Sequence, residues 1–259
     1  MSPEALTGPS ARIAADLRSA ILEGRLAPGA KLPPVRTLAD QYGVSRNTAV
    51  KAIAQLRSEG LIVTKYGSGA YVRDEHPVRW LGPDRYARSR WATTTVEVRA
   101  DDPSSDAAQI QGGQTQEVNR VDADERIAAA LEIEVGAPVI ERARVITRAD
   151  VPTHTMTSYY RAEDVEDTPI CDPRPGIAGR GGGFAILAER GLEPAEVTEE
   201  LRARMPTPDE AELLELPPGE PVVELRRITR TANGRPIEYA VGVHAASRFG
   251  WRFTYPIPD

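Results

Sequence analysis

At 259 residues, with 41% apolar and 27% charged residues, the chain has room for two globular domains and is not disordered at large, and its single cysteine, Cys171, excludes any disulfide within it. No apolar run approaches the roughly 20 residues that cross a bilayer, and Met1-Ser2-Pro3-Glu4 lacks the basic-then-apolar layout of a signal peptide, so no membrane partner is expected and the cytoplasm is the expected location. The net charge of −6 is uneven: residues 1–73 hold ten Lys/Arg against five Asp/Glu, and 74–259 hold 22 against 33, a head of +5 on a body of −11, as phosphate binding by one end requires.

The first predicted helix spans 10–24. Ser10 stands as its cap, Ile13, Leu17, Ala20 and Ile21 share one face, and Gly24 ends it. A second helix is predicted over 34–42, with Pro34 in its first turn and Gly43 after it. A third covers 46–59, capped by Ser45, with Ala49, Ala52, Ile53 and Leu56 inward and Gly60 as its stop. Residues 61–64 and 70–73 read as two strands around a glycine-bearing turn, Lys65-Tyr66-Gly67-Ser68-Gly69.

Residues 74–91 show no period and read as a connector, although the aromatics of Arg85-Tyr86-Ala87-Arg88-Ser89-Arg90-Trp91 suggest docking on a domain. Residues 101–116 and 169–183 read as loops. The remainder carries an internal repeat. Leu131-Glu132-Ile133, Gly136, Pro138-Val139-Ile140-Glu141 and Arg144 recur 83 residues later as Leu214-Glu215-Leu216, Gly219, Pro221-Val222-Val223-Glu224 and Arg227. Each copy predicts a helix (123–131 and 207–215), a strand (138–147 and 221–230), a polar turn and a second strand (152–160 and 236–245). Two such units lay antiparallel strands into one sheet with helices against it.

Helix, short turn, helix and two-stranded wing together form a winged helix-turn-helix, whose third helix presents its first residues to a major groove. Arg46 can fork onto a guanine edge and Asn47 can pair with adenine. Ser45 and Thr48 can reach phosphates, helped by the helix N-terminus. Lys51 lies one turn on from Asn47, and Arg36 can reach a flanking phosphate or base. Lys65 adds charge to the wing, where Gly67 and Gly69 permit close backbone approach. A plain three-helix bundle with a basic surface is the rival explanation, and the order of caps, stops and hairpin argues against it.

Residues 10–73 resemble the DNA-binding domain of the GntR family of bacterial regulators. The resemblance rests on Ala27-Pro28-Gly29-Ala30-Lys31-Leu32-Pro33, Arg36-Thr37-Leu38-Ala39, Gly43-Val44-Ser45-Arg46-Asn47-Thr48, Leu56-Arg57-Ser58-Glu59-Gly60-Leu61-Ile62 and Gly67-Ser68-Gly69-Ala70-Tyr71-Val72. It implies that Arg36, the cluster Ser45 to Thr48, and Tyr66 and Gly67 at the wing tip meet DNA. Pro34-Val35 and Val50 depart from the family pattern, so no operator sequence carries over.

Most of 87–255 resembles the UTRA effector domain of the family's HutC branch, through Gly136-Ala137-Pro138-Val139, Arg144, Asp150-Val151-Pro152, Gly219-Glu220-Pro221-Val222, Arg227 and Asn233-Gly234-Arg235-Pro236-Ile237-Glu238. The fold so implied is α+β: a winged helix-turn-helix (1–73), a linker (74–91) and a chorismate-lyase-like UTRA domain (92–259) with an antiparallel sheet and flanking helices. The implied function is a repressor, homodimeric on double-stranded operator DNA and modulated by a small-molecule effector. Arg144 matches a position that grips an anion, Glu238 one that accepts from hydroxyl or amine groups, and His244 one where many relatives have a tyrosine. Phe184 can line the pocket. Ile146 stands where a second arginine is common and Met156 where a carboxylate is, which argues against a phosphosugar effector.

Two other readings compete. An enzyme has little support: His76, His154 and His244 are scattered, Cys171 has no partner motif, Gly181-Gly182-Gly183 fits no nucleotide fingerprint, and no cofactor is called for. A lyase-like fold does not imply lyase activity. A constitutive DNA-binding and dimerisation module without an effector is the second.

Overall fold

The computed structural model describes residues 8–65, 67–73, 78–91, 113–148, 151–174 and 183–257. The chain forms two compact units. One holds residues up to Pro77 together with Leu216–Glu220, and the other holds Val78–Glu215 and Pro221 onward.

In the first unit, α1 (Pro9–Leu22), α2 (Val35–Tyr42) and α3 (Arg46–Ser58) precede a hairpin of β1 (Ile62–Lys65) and β2 (Gly69–Val72). Apolar positions at helical spacing converge on one core, where Ile13, Leu38, Leu56 and Ile62 are essentially inaccessible to solvent. Two expected caps are displaced. Gly8 caps α1, leaving Ser10 in the first turn, and Pro34 is the N-cap of α2 rather than a residue within it. Ser45 does cap α3, its hydroxyl accepting from the Thr48 amide at 3.2 Å. Gly43 takes a left-handed conformation (φ 62°), which turns the chain sharply between α2 and α3.

The second unit contains a six-stranded antiparallel sheet. Its strands are β4 (Gln114–Asp122), β5 (Pro138–Arg148), β6 (Val151–Arg161), β7 (Pro194–Arg204), β8 (Val222–Thr231) and β9 (Pro236–Ala245), in the order β4-β5-β6-β9-β8-β7. The sequence repeat is therefore a structural one. Each copy is strand, helix, hairpin: β4, α4 (Glu125–Leu131), β5, β6, and then β7, α7 (Pro208–Leu213), β8, β9. Asp124 and Thr207 cap the two helices at matching positions. Glu132 and Glu215, the only non-glycine pair 83 residues apart with positive φ among the described residues (55° and 49°), follow the two helices, the first as a C-cap and the second one residue beyond the cap Leu214. A bulge falls between Ile146 and Thr147 in one hairpin and between Thr229 and Arg230 in the other. The copies meet at β6 and β9, so the sheet has an approximate two-fold axis near the Thr157–Val241 pair.

Strands β4 and β7 were not expected. Residues 114–116 fall within a stretch that composition reads as loop. In β4 half-buried and exposed positions alternate only from Gln114 to Asn119, and two of the half-buried ones are Gln114 and Gln116. In β7 five of eleven residues are charged. Both are edge strands, and their inward polar residues hide the period.

Helix α4 covers one face of the sheet through Ile127, Ala128 and Leu131 against Val139, Tyr159 and Tyr239. On the other face, at one end, lie α5 (Ala162–Val165), a 3₁₀ turn at Pro169–Cys171 and α6 (Phe184–Glu189), burying Val165, Ile170, Phe184 and Leu187 with Tyr160. At the opposite end of that face, β10 (Phe249–Trp251) pairs in parallel with β3 (Arg79–Leu81). The residues from Val78 to Trp91 are thus part of the second unit: β3 is followed by 3₁₀ turns at Pro83–Tyr86 and Arg88–Arg90.

Leu56→Ala should destabilise the first unit by about 2–5 kcal/mol, because the fully buried side chain leaves a cavity among three helices. Thermal unfolding followed by circular dichroism reads the loss, and an unchanged melting profile contradicts this packing.

Candidate nucleic-acid interface and effector site

The capped start of α3 carries the expected DNA-reading residues. Ser45, Arg46, Asn47 and Lys51 are exposed and Thr48 is half-buried, and the Ser45 and Thr48 hydroxyls lie 2.8 Å apart. Arg36 is exposed on α2. Among the described residues none of Arg36, Arg46, Asn47 and Lys51 is engaged by a hydrogen bond or ion pair, whereas Arg18 on α1 is tied to Glu59. Their polar ends face solvent, as a surface awaiting phosphates and base edges requires. Lys65 ends β1, opposite Gly69, and Gly67 sits exposed in the turn with φ 71°. Tyr66 lies outside the described residues.

The second unit holds a polar cluster on one face of its sheet. Strand alternation and register put Arg142 and Arg144 of β5, Ser158 and Tyr160 of β6, Arg227 and Thr229 of β8 and Glu238 of β9 on that face. Glu238 is fully buried and surrounded by donors: Tyr160 Oη at 2.9 Å, Thr229 Oγ1 at 3.1 Å, and Arg227 Nη2 to both carboxylate oxygens at 3.0 and 2.9 Å. Burial works against its charge, yet Arg227, then Arg144, and these hydrogen bonds hold its carboxyl below the ordinary range. Arg227 is raised in turn, since Glu238 and Tyr86 outweigh the burial that opposes its charge.

The other two guanidiniums have no such counter-ion. Arg144 donates to Ser158 Oγ at 2.7 Å and to the Met156 carbonyl at 3.3 Å, and burial lowers its pKa to about 10. Arg142 is 2% exposed and donates through Nη2 to Gln116 Oε1 at 2.8 Å, while its Nε and Nη1 have no partner. Burial lowers its pKa too. The cluster therefore sets three guanidiniums against one carboxylate, a net charge of +2 in a desolvated place. An unbalanced buried charge is costly, and a bound anion relieves it.

Arg142 corrects the expectation drawn from Ile146. A second arginine is present, two residues before Arg144 rather than two after, and on the same face because strand side chains alternate. Arg227, the repeat mate of Arg144, adds a third. Arg142, Ser158, Tyr160 and Gln116 were missed. The signal for Arg142 was its spacing from Arg144, and for Arg227 the repeat itself.

Phe184 is 3% exposed. It meets Trp91 edge-on (ring centroids 5.6 Å), Tyr86 tilted (5.9 Å) and the Arg227 guanidinium at 5.5 Å, which brings it to the cluster. The preceding Gly183 has φ 112°, and a Cβ there would stand 3.3 Å from the Tyr160 hydroxyl.

His244 lies at the other end of the face. By register it is the repeat mate of Tyr160, and its neighbour His154 is the mate of Glu238: Ile146 pairs His154 where Thr229 pairs Glu238, and Ile140 pairs Tyr160 where Val223 pairs His244. One half of the two-fold thus carries a charged hydrogen-bonded pair, and the other carries two stacked imidazoles, centroids 4.8 Å apart. Phe249 meets both edge-on and Trp251 meets His244 edge-on, so β10 closes this end. Burial pushes His244 down to about 3 and His154 well below its ordinary value. Among the described residues no group of three or more His, Cys, Asp or Glu is placed to hold a metal, and no helix is long and apolar enough to cross a membrane.

Comparison with known proteins decides the family. The model for bacterial regulatory proteins of the gntR family matches residues 9–72, and that for the UTRA domain matches 112–250. The chain belongs to the GntR family of bacterial regulators. An uncharacterised HTH-type transcriptional regulator of Streptomyces coelicolor is 45% identical over 92% of this chain and 89% of its own length. The HTH-type transcriptional repressor NagR of Bacillus subtilis is 25% identical over 92% and 90%. A solved GntR-family transcriptional regulator superposes with a TM-score of 0.67 at 28% identity, over 97% of this chain and 99% of that one. PhnF of Mycobacterium smegmatis, at 20% identity, shares the fold with a TM-score of 0.52 over 95% and 100%. This GntR chain is a transcriptional regulator with a UTRA effector domain, and not an enzyme.

The buried imidazoles give a pH test. Their pKa values are lower in the folded chain than in the unfolded one, so the unfolded state takes up more protons once pH drops below about 6.5. Stability of the second unit should fall as pH is lowered from 6.5 to 5, by up to about 1.4 kcal/mol per pH unit for each imidazole that stays neutral. In H154F/H244F that dependence should flatten. Urea unfolding across this range is the measurement, and parallel curves for the two proteins contradict the assignment.

Proposed function

We propose that this regulator belongs to the HutC branch and acts in the cytoplasm as a homodimeric repressor. Each recognition helix reads one half of an operator, and an anionic small molecule held in the second unit alters the grip. On DNA, Arg46 and Asn47 read base edges, and Arg36, Ser45, Thr48, Lys51 and the wing from Lys65 to Gly67 hold phosphates and grooves. Two recognition helices suit two half-sites about one helical turn apart, which is the reason for a dimer. The Bacillus subtilis relative is a transcriptional repressor.

The observation that carries the effector reading is the charge excess of Arg142, Arg144 and Arg227 over Glu238 in a buried cluster, with guanidinium nitrogens of Arg142 and Arg227 unpartnered. A carboxylate or phosphate accepts from such forks in bidentate fashion. Glu238 serves to hold Arg227 in place. Phe184 supplies an apolar wall, and His244, neutral and enclosed, belongs to the packed end of the face.

Selection of bound sequences from random duplex DNA, repeated with a panel of anionic metabolites, tests both halves together. Arg46→Ala should weaken specific operator binding by roughly 1–3 kcal/mol. Equal affinity for operator and scrambled duplex in the wild type sinks the DNA reading. Arg142→Leu removes an unpaired buried charge, so it should raise the effector-free melting temperature, by about 1 kcal/mol or more in stability, while abolishing the response to the anion. A variant that is less stable yet still responsive contradicts the proposed anion cradle.

A further inference from the structure

The segment Arg85–Trp91 is basic and aromatic, and neither the DNA-reading surface nor the anion cradle uses it so far. In the structure it folds onto the cradle. Tyr86 Oη donates to Glu199 of β7 and accepts from Arg227 Nη1 at 3.2 Å. Arg85 grips both oxygens of Glu199 and donates to the Gly82 carbonyl at 2.6 Å. Glu199 stands beside Arg227 in register across β7 and β8. The Tyr86 ring lies between two guanidiniums, 4.4 Å from Arg85 and 5.4 Å from Arg227. Trp91 Nε1 donates to the Tyr86 carbonyl at 3.1 Å and closes the fold against Phe184.

Arg227 is shared between two partners of unequal strength. Its Nη2 makes the charge-assisted pair with Glu238, its Nη1 reaches only a neutral phenol at the long end of hydrogen-bonding distance, and its buried Nε reaches nothing. An anion offers both of those nitrogens a charged acceptor, and charge-assisted bonds are roughly twice as strong as neutral ones. The phenol occupies the donor that an anion would take.

We propose that Tyr86 is a competitor built into the effector site: an anion seated on Arg142, Arg144 and Arg227 displaces the phenol and loosens the clasp of residues 83–91. This rests on the anion-cradle reading above. The clasp begins directly after β3, and six residues separate β3 from the last wing strand. The chain that an anion loosens is therefore the one that leads to the DNA-binding unit.

The test uses the full-length protein, inorganic phosphate as probe and the variant Tyr86→Phe, which keeps the ring and removes the hydroxyl. Phosphate affinity is read by calorimetry, and amide hydrogen exchange is followed over residues 82–91. Phosphate should speed exchange in this segment of the wild type. Tyr86→Phe should bind phosphate about threefold to tenfold more tightly, the equivalent of one lost competing hydrogen bond, and should exchange faster there before phosphate is added. Binding to the variant alone also supports the competition. A merely structural tyrosine predicts lower thermal stability and no gain in affinity. If both proteins bind phosphate equally and exchange in the segment does not change, the competitor role is overturned while the cradle stands. If neither binds phosphate, the cradle fails and the competitor role fails with it.

Discussion

The second unit is organised around a buried ion pair that lacks a counterpart. Arg227 pairs with both carboxylate oxygens of Glu238 across β8 and β9, and Tyr160 and Thr229 donate to the same carboxylate. Arg142 and Arg144 stand on the same face with no carboxylate of their own. Such an arrangement is poor for stability in isolation, because each desolvated guanidinium prefers water. A bound anion would complete it, and the proposed sensing rests on that conditional stability. The first unit shows the opposite economy of charge. Its cationic side chains at the start of α3 lie in water, where they cost nothing until a duplex arrives.

The internal duplication explains how one sheet came to hold both the proposed anion site and a packed end. Two copies of strand, helix and hairpin meet at β6 and β9, which gives every residue of the face a mate. Tyr160 and Glu238 on one side correspond to His244 and His154 on the other. The first pair is fixed by charge. The second is neutral and stacked, and Phe249 and Trp251 lie over it. Divergence between the halves thus turned a symmetric scaffold into an asymmetric site. Among the described residues between the copies, the two short helices and the 3₁₀ turn, with Phe184 and Gly183, lie at the charged half.

The winged helix-turn-helix could be read from the sequence nearly whole. Caps, glycine stops and apolar spacing are local signals, and Ser45, Gly43 and Gly60 act where the local pattern put them. The repeat was equally legible, and with it β5, β6, β8 and β9. The strands β4 and β7 were not. Gln114, Gln116 and Glu199 occupy inward positions that would be apolar in an ordinary strand, and they are polar because Arg142, Arg85 and Tyr86 need partners there.

The amino-acid sequence by itself determined that this chain joins a basic DNA-reading head to a duplicated sheet domain, because helical and strand periods, caps and repeats act over short distances along the chain. It also put forward Arg144, Glu238 and Phe184 as candidates for the effector site. Only the tertiary structure decided which of them meet, that Arg142 and Arg227 join them, that His244 is sealed away, and that residues 83–91 close over the cluster. Those outcomes depend on strand register and on pairing between segments more than eighty residues apart, and no local pattern encodes the distance between two side chains that come together only when the sheet is assembled.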